Sequence, residues 1–231
     1  MVRPMTEENL KSAYAGESQA HMRYGIFSQM AEEGGLHNIA RLFRAIAYTE
    51  RVHASNHYRN ITSKGDAVTV SVAGFGSRTT PEDLQIGIDG EGFEVNEMYP
   101  AYLEVAHMQK EYAAEISFRY AWEAEKTHAA FFRMAKEAED SGGDLELGHV
   151  CVCSVWGHMV EGEVPDHCPI CKAKRDKFRV FSAWIRMAFQ PLEIYPWIID
   201  KDSIILFSIL IPGFLRDNWH PQSEREGPGF A

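Results

Sequence analysis

Cysteine is absent from the first 150 residues of this chain and from everything after residue 171. The four that occur, Cys151, Cys153, Cys168 and Cys171, fall within 21 residues. That clustering favours a metal site in a reducing compartment over a disulfide framework. Positive charge is also scarce. Twenty-three Lys and Arg stand against 33 Asp and Glu, a net charge of −10, which argues against a nucleic-acid backbone as partner. The polar start, residues 1–10, has no apolar core of the kind a secretory signal carries. The apolar run at residues 203–211, bounded by Asp202 and Pro212, is too short to span a bilayer. Trp184, Trp197 and Trp219 flank it at a distance, and docking on the rest of the protein or poor order is expected there ahead of membrane attachment.

What is abundant is helical pattern. Residues 6–33 read as a helix capped by Thr6, with Glu7 and Glu8 at its positive end and Gly34-Gly35 as its stop. Residues 36–63 give a second, with Ile39, Leu42, Phe43, Ile46 and Ala47 at helical spacing and Gly65 beyond it. A Gly-rich, β-branched crossover over 66–80 follows. Thr80-Pro81-Glu82-Asp83 then opens a third helix, expected to run to about Lys110 despite Pro100, and a fourth covers 111–140. Four long helices with two short turns and one long central link describe a ferritin-like four-helix bundle over residues 1–140. After the linker at 141–144, residues 145–180 form a small Cys-, Gly- and Pro-containing module held by metal rather than by a core. Residues 181–231 are an irregular extension. The fold class is mainly α.

One pattern occurs twice in the bundle. Glu17 is followed 33 residues later by Glu50-x-x-His53, and Glu91 is followed 34 residues later by Glu125-x-x-His128. Glu and His three apart share a helix face and can address one point. Any one of these Glu residues alone reads as a solvated surface charge. As a set they interrupt apolar faces, and buried like charges are costly without compensation. A pair of metal ions would offset them, and carboxylate-rich sites with one His per metal suit iron or manganese better than zinc.

The order Glu17, Glu50-x-x-His53, Glu91-x-x-Glu94 and Glu125-x-x-His128, with the run from Glu91 to Ala106, resembles the rubrerythrins over residues 5–180. The resemblance implies a di-iron site bridged by Glu50 and Glu125, with Glu17 terminal on one iron and Glu91 and His128 serving the other. Glu94 breaks the internal repeat, its counterpart being Ala20. The resemblance makes it a redox-dependent ligand that exchanges with His53, where the plain reading is a solvated helix Glu. Tyr24 and Tyr99 match tyrosines that hydrogen-bond the carboxylate ligands, or are ordinary core tyrosines.

The segment from Glu161 to Cys171 resembles the second knuckle of a rubredoxin domain, which holds one iron through four thiolates. The first knuckle should read Cys-x-x-Cys-Gly, but here it reads Cys153-Ser-Val-Trp156-Gly157-His158. Trp cannot ligate iron. Cys151 is an extra thiol, although an extended Cys-x-Cys does not bring both sulfurs to one point as a knuckle does. Three outcomes stay open: a distorted four-Cys site, a three-Cys site completed by water or His158, or no metal. The resemblance implies reduction of hydrogen peroxide to water with electrons from NAD(P)H, delivered by a reductase or rubredoxin through the thiol-bound iron. It also implies a cytoplasmic homodimer in which one subunit's module approaches the other's di-iron site. Two alternatives stand beside it: a ferroxidase or iron-handling protein, and a variant with impaired electron entry.

Overall fold

The structure is a computed structural model that describes residues 1–63 and 78–182. The crossover at 66–80 falls almost wholly outside the described residues, and so does nearly all of the extension at 181–231, including the apolar run at 203–211. Four helical rods follow in order: α1 (Pro4–Glu33), α2 (His37–Asn60), the composite α3 (Thr80–Phe93), π turn (Glu94–Met98) and α4 (Tyr99–Gln109), then α5 (Tyr112–Asp140).

Helix ends differ from expectation where long-range partners decide them. The chain enters α1 at Pro4, whose fixed φ suits a first helical position, with Arg3 as the extended N-cap. Thr6 is therefore inside the helix, and it hydrogen-bonds Gln109 at the end of α4 instead of capping. Helix α2 stops at Asn60, before Gly65, because Ile61 turns extended into an apolar cluster while Thr62 and Ser63 donate to Glu7. Gly35, at φ +79°, makes the α1–α2 turn as expected. Thr79 and Glu82 form a capping box at the start of α3. The third rod is not one regular helix. It passes through the π turn at Glu94–Met98 and resumes with Pro100 in the first turn of α4.

Two apolar clusters hold the rods. One stacks Tyr24, Phe27, Phe43 and Phe132 with aliphatic neighbours from α2, and the other gathers Leu10, Tyr99 and Phe118. The C-terminal module is a three-stranded antiparallel sheet ordered β2–β1–β3, with β1 Val150–Cys153, β2 Met159–Glu161 and β3 Phe178–Phe181. Val150, Val152 and Met159 join the first apolar cluster, so the module shares the bundle's core. The linker takes part too, since Asp144 accepts the amide hydrogens of Asn38 and Ile39 and caps α2 from outside its own sequence.

Arg41 fastens the module to the bundle. Its buried guanidinium donates to the carbonyls of Leu147, Gly148 and Phe181. Truncation leaves those acceptors unpaired under an apolar cover, and buried bonds from a charged donor contribute about 1.5–3 kcal/mol each before relaxation. Arg41→Ala is expected to lower unfolding free energy by about 2–4 kcal/mol and to make the 145–180 segment the first site of proteolytic cleavage. A variant with wild-type denaturant midpoint and cleavage pattern would contradict this assignment.

Candidate metal centres

The bundle brings together two overlapping donor sets. Glu17, Glu50, His53 and Glu125 form one, and Glu50, Glu91, Glu125 and His128 the other; in each, one ligand atom per residue lies within 4.8 Å of all the others. Glu50 and Glu125 belong to both. None of the six residues is more than 2% exposed. The residues expected from the repeated pattern thus converge, one hairpin facing the other. Glu94 stands outside both sets.

Several of these atoms have no hydrogen-bond partner: Glu17 Oε2, Glu50 Oε1, Glu91 Oε2, both oxygens of Glu125, and His128 Nδ1. They are nonetheless close. His128 Nδ1 lies 2.6 Å from Glu125 Oε2 and 3.3 Å from Glu50 Oε1, but without the angles of a hydrogen bond. Lone pairs that converge on shared points without pairing are donors arranged for cations. The residues therefore fit two metal ions, with one imidazole and carboxylate oxygens for each.

The outer atoms hold these donors in place. Thr49 Oγ1 gives its proton to the Ile46 carbonyl, so it can only accept from His128 Nε2, at 3.1 Å. The Trp156 carbonyl likewise accepts from His53 Nε2, at 3.2 Å. Both imidazoles are thus anchored through Nε2 and turn Nδ1 toward the carboxylates, His53 Nδ1 bonding Glu50 Oε2 at 3.1 Å. Tyr24 donates to Glu91 Oε1 at 2.7 Å, and Tyr99 donates to Glu17 Oε1. The two tyrosines cross over, each reaching the carboxylate of the other hairpin. His57, one turn beyond His53, was not singled out from the sequence. It bonds the Tyr99 hydroxyl at 3.0 Å and Ser117 at 2.9 Å. Its i+4 offset from His53 was the available signal.

Burial and charge crowding together shift several of the titratable groups here. Burial raises Glu125 to about 8, aided by Glu50 and Glu91 and opposed by His53 and His128. Burial likewise raises Glu50. Glu94 is partly exposed as a residue, yet burial of its carboxyl and the fields of Glu17, Glu125, Glu91 and Glu50 lift it well above the ordinary range. Burial opposes charge on His53 and His128, but Glu125 above all holds both well above the usual imidazole value. Burial lifts Tyr24 and Tyr99 far up as well, which keeps both hydroxyls as donors.

In the module, Cys153, Cys168 and Cys171 come within 4.8 Å of one another, with Cys153 Sγ 3.6 Å from Cys171 Sγ. Cys151 does not join them. Residues two apart on a strand share a face but stand roughly 6.6 Å apart along it, and the Cys151 thiol donates instead to the Gly162 carbonyl, at 3.4 Å. Of the three outcomes left open, this placement goes against the four-thiolate site that includes Cys151. The Trp156 indole packs edge-on against Tyr120 of α5, with ring centroids 4.8 Å apart. Gly157 sits at φ +83°, where a Cβ would collide with the His53 ring. The knuckle therefore lies directly on a bundle histidine within one chain, where the family resemblance led us to expect that approach between subunits.

A helical bundle with two carboxylate-and-histidine donor sets and a thiol-bearing module defines a ferritin-like protein of the di-iron carboxylate class. The chain belongs to the rubrerythrin family: the Rubrerythrin family model matches residues 8–136, and the model for the rubrerythrin rubredoxin-like domain matches 152–179. Rubrerythrin-2 of Clostridium acetobutylicum is 46% identical over 179 residues, covering 77% of this chain and 97% of that protein. Nigerythrin of Nitratidesulfovibrio vulgaris is 33% identical over 177 residues, covering 76% and 86%. The fully reduced, all-ferrous nigerythrin structure superposes with a TM-score of 0.68 at 32% identity, over 78% of this chain and 88% of that one. Rubrerythrins are oxidoreductases with a di-iron centre in the bundle and one iron in the rubredoxin-like module. Among the described residues no helix is long and apolar enough to cross a membrane.

A carboxyl whose folded pKa is raised keeps a proton that the unfolded chain has released, so its contribution to stability declines as pH rises between the two values. For Glu125 that window runs from 4.5 to about 8. Metal-free wild type should therefore lose stability relative to Glu125→Gln across that window, on the order of a few kcal/mol. Metal loading should remove the difference in slope, because the cation displaces the protons. Parallel pH profiles for the two metal-free proteins in denaturant titrations would refute the assignment.

Proposed function

We propose that the protein is a di-iron peroxidase that reduces hydrogen peroxide to two waters, with electrons drawn from NAD(P)H through a separate reductase and the rubredoxin-like module. The observation that carries this reading is the asymmetry of the site: two near-equivalent donor sets, plus Glu94 beside them with no counterpart in the other hairpin. Storage of iron alone needs only the symmetric part, and the appended cysteine module argues against a ferroxidase that the same ligands would serve.

When bound, the two ferrous ions supply the two electrons that cleave the peroxide O–O bond. The residues do the rest. Glu50 and Glu125 are the shared carboxylates and would bridge the two positions. Glu17 and His53 complete one position, and Glu91 and His128 the other. Tyr24 and Tyr99 hold Glu91 and Glu17 in orientation through hydroxyls that stay protonated. In the metal-free site burial and four neighbouring carboxylates favour the protonated form of Glu94, and Glu94 is proposed to hand a proton to the departing oxygen. As a carboxylate it would be the harder donor, suited to a ferric ion, while His53 suits a ferrous one; the two are proposed as alternatives at one position. The cytoplasm of an anaerobic or microaerophilic cell and a homodimeric assembly are proposed by family analogy.

Altered electron entry is a second reading, favoured by one observation: Trp156 occupies a ligand position and turns its ring to Tyr120. Single-turnover kinetics tests the bundle chemistry apart from electron entry. Fully ferrous protein mixed with one equivalent of peroxide should oxidise both bundle irons at once, without any reductase, and should do so faster than with dioxygen. Glu94→Ala should slow the step by roughly 10–100-fold while leaving iron content unchanged. Faster oxidation by dioxygen than by peroxide would favour the ferroxidase reading, and an unchanged Glu94→Ala rate would remove Glu94 from the reaction.

A further inference from the structure

The thiol site is short of one ligand, and the geometry around it determines what completes it. The sulfurs of Cys153, Cys168 and Cys171 lie within 4.8 Å of one another, close enough to share one metal. The 3.6 Å between Cys153 Sγ and Cys171 Sγ is close to the edge expected for metal–sulfur bonds of about 2.3 Å, and too long for a disulfide. The turn that normally presents a fourth sulfur is fully formed. The amides of Val155 and Trp156 donate to Cys153 Sγ, and those of Ile170 and Cys171 donate to Cys168 Sγ. Gly157 takes the left-handed conformation the turn needs.

Among the described residues, three side chains of the module are candidates for the fourth corner, and none is placed to fill it. Cys151 is paired with Gly162, beyond the span of the cluster. Trp156 has no donor atom to offer and its ring rests on Tyr120. His158 is buried and its Nδ1 lacks a hydrogen-bond partner, but it does not belong to the group of ligand atoms that all lie within 4.8 Å of one another. Its carbonyl is held by the Cys153 amide, at 2.9 Å.

We infer that this module binds its metal through three thiolates only, leaving a fourth position open to a small thiol from solution. A protein site with three ligands and one open position is the arrangement of reactive rather than purely structural metal sites. Three thiolates make the metal soft, so a further thiolate is preferred to water. Rubredoxin-like iron is coordinatively closed, so this chain departs from its own family at that point.

Cobalt(II) substitution of the full-length protein tests the inference independently of peroxide turnover. Thiolate-to-cobalt charge-transfer absorption reports only the module, since the bundle sites contain no sulfur. Wild type should show roughly three-quarters of the intensity per metal of Trp156→Cys, in the ratio of three thiolates to four. Titration with 2-mercaptoethanol should raise the wild-type band saturably by about one-third, while Trp156→Cys should not respond. Cys151→Ser should match wild type in spectrum and response. Loss of charge-transfer intensity in Cys151→Ser would make Cys151 the fourth ligand and overturn the inference. So would a wild type that ignores the thiol until His158 is replaced by Gln, or one with no thiolate band at all. The wild-type titration decides the matter even if Trp156→Cys does not fold.

Discussion

Carboxylates brought together out of water repel each other, and the fold is arranged around that repulsion. Glu17, Glu50, Glu91 and Glu125 share a dry interior with Glu94 nearby, and few of their oxygens are hydrogen-bonded. A buried ion left unpaired costs several kcal/mol, which the two aromatic clusters alone would have to offset. Protons offset it without metal, as the raised Glu125, Glu50 and Glu94 indicate. Cations offset it better. The tyrosines, Thr49 and the Trp156 carbonyl make sense in that setting: each binds the outer atom of a donor and leaves the inner atom turned to the shared interior.

The duplicated hairpin was legible because a Glu and a Glu-x-x-His repeat at nearly equal spacing cannot be explained by amphipathicity. The mismatch between 33 and 34 residues was legible too, but its meaning was not. Gly35, the left-handed residue of the first turn, lies 18 residues after Glu17, and Lys110, its counterpart in the second, lies 19 after Glu91. The extra residue is thus inside the third rod, where the π turn at Glu94–Met98 absorbs it. Pro100 cannot donate to a carbonyl four residues back, so a widened turn immediately before it removes a conflict that a regular helix would carry. The same insertion explains why Tyr99 stands eight residues after Glu91 while Tyr24 stands seven after Glu17, yet both reach the opposite carboxylate.

What stayed hidden was decided by residues distant in sequence. Thr6 has every local mark of a cap, and Gln109 takes its hydroxyl. Asp144 looks like linker, and it caps α2 across more than a hundred residues. His57 lies in the middle of a helix with no motif around it, and it supports Tyr99. Local pattern specified elements and ligand faces, whereas the identity of partners required the packed core.

The knuckle at residues 153–158 shows how two roles of one turn separate. Its backbone serves the bundle: the Trp156 carbonyl fixes the tautomer of His53, and Gly157 is bare enough to admit the imidazole. Its amides also serve Cys153. Only the side chain at position 156 would serve the metal by direct ligation. An indole at position 156 offers the metal no ligand, yet the backbone contacts of the turn are in place, and the ring has Tyr120 as an anchor on α5. The contact that orients the di-iron donor His53 is therefore insulated from the change that opens the thiol site. Coordination in the module can change from closed to open without loosening the bundle on which it rests.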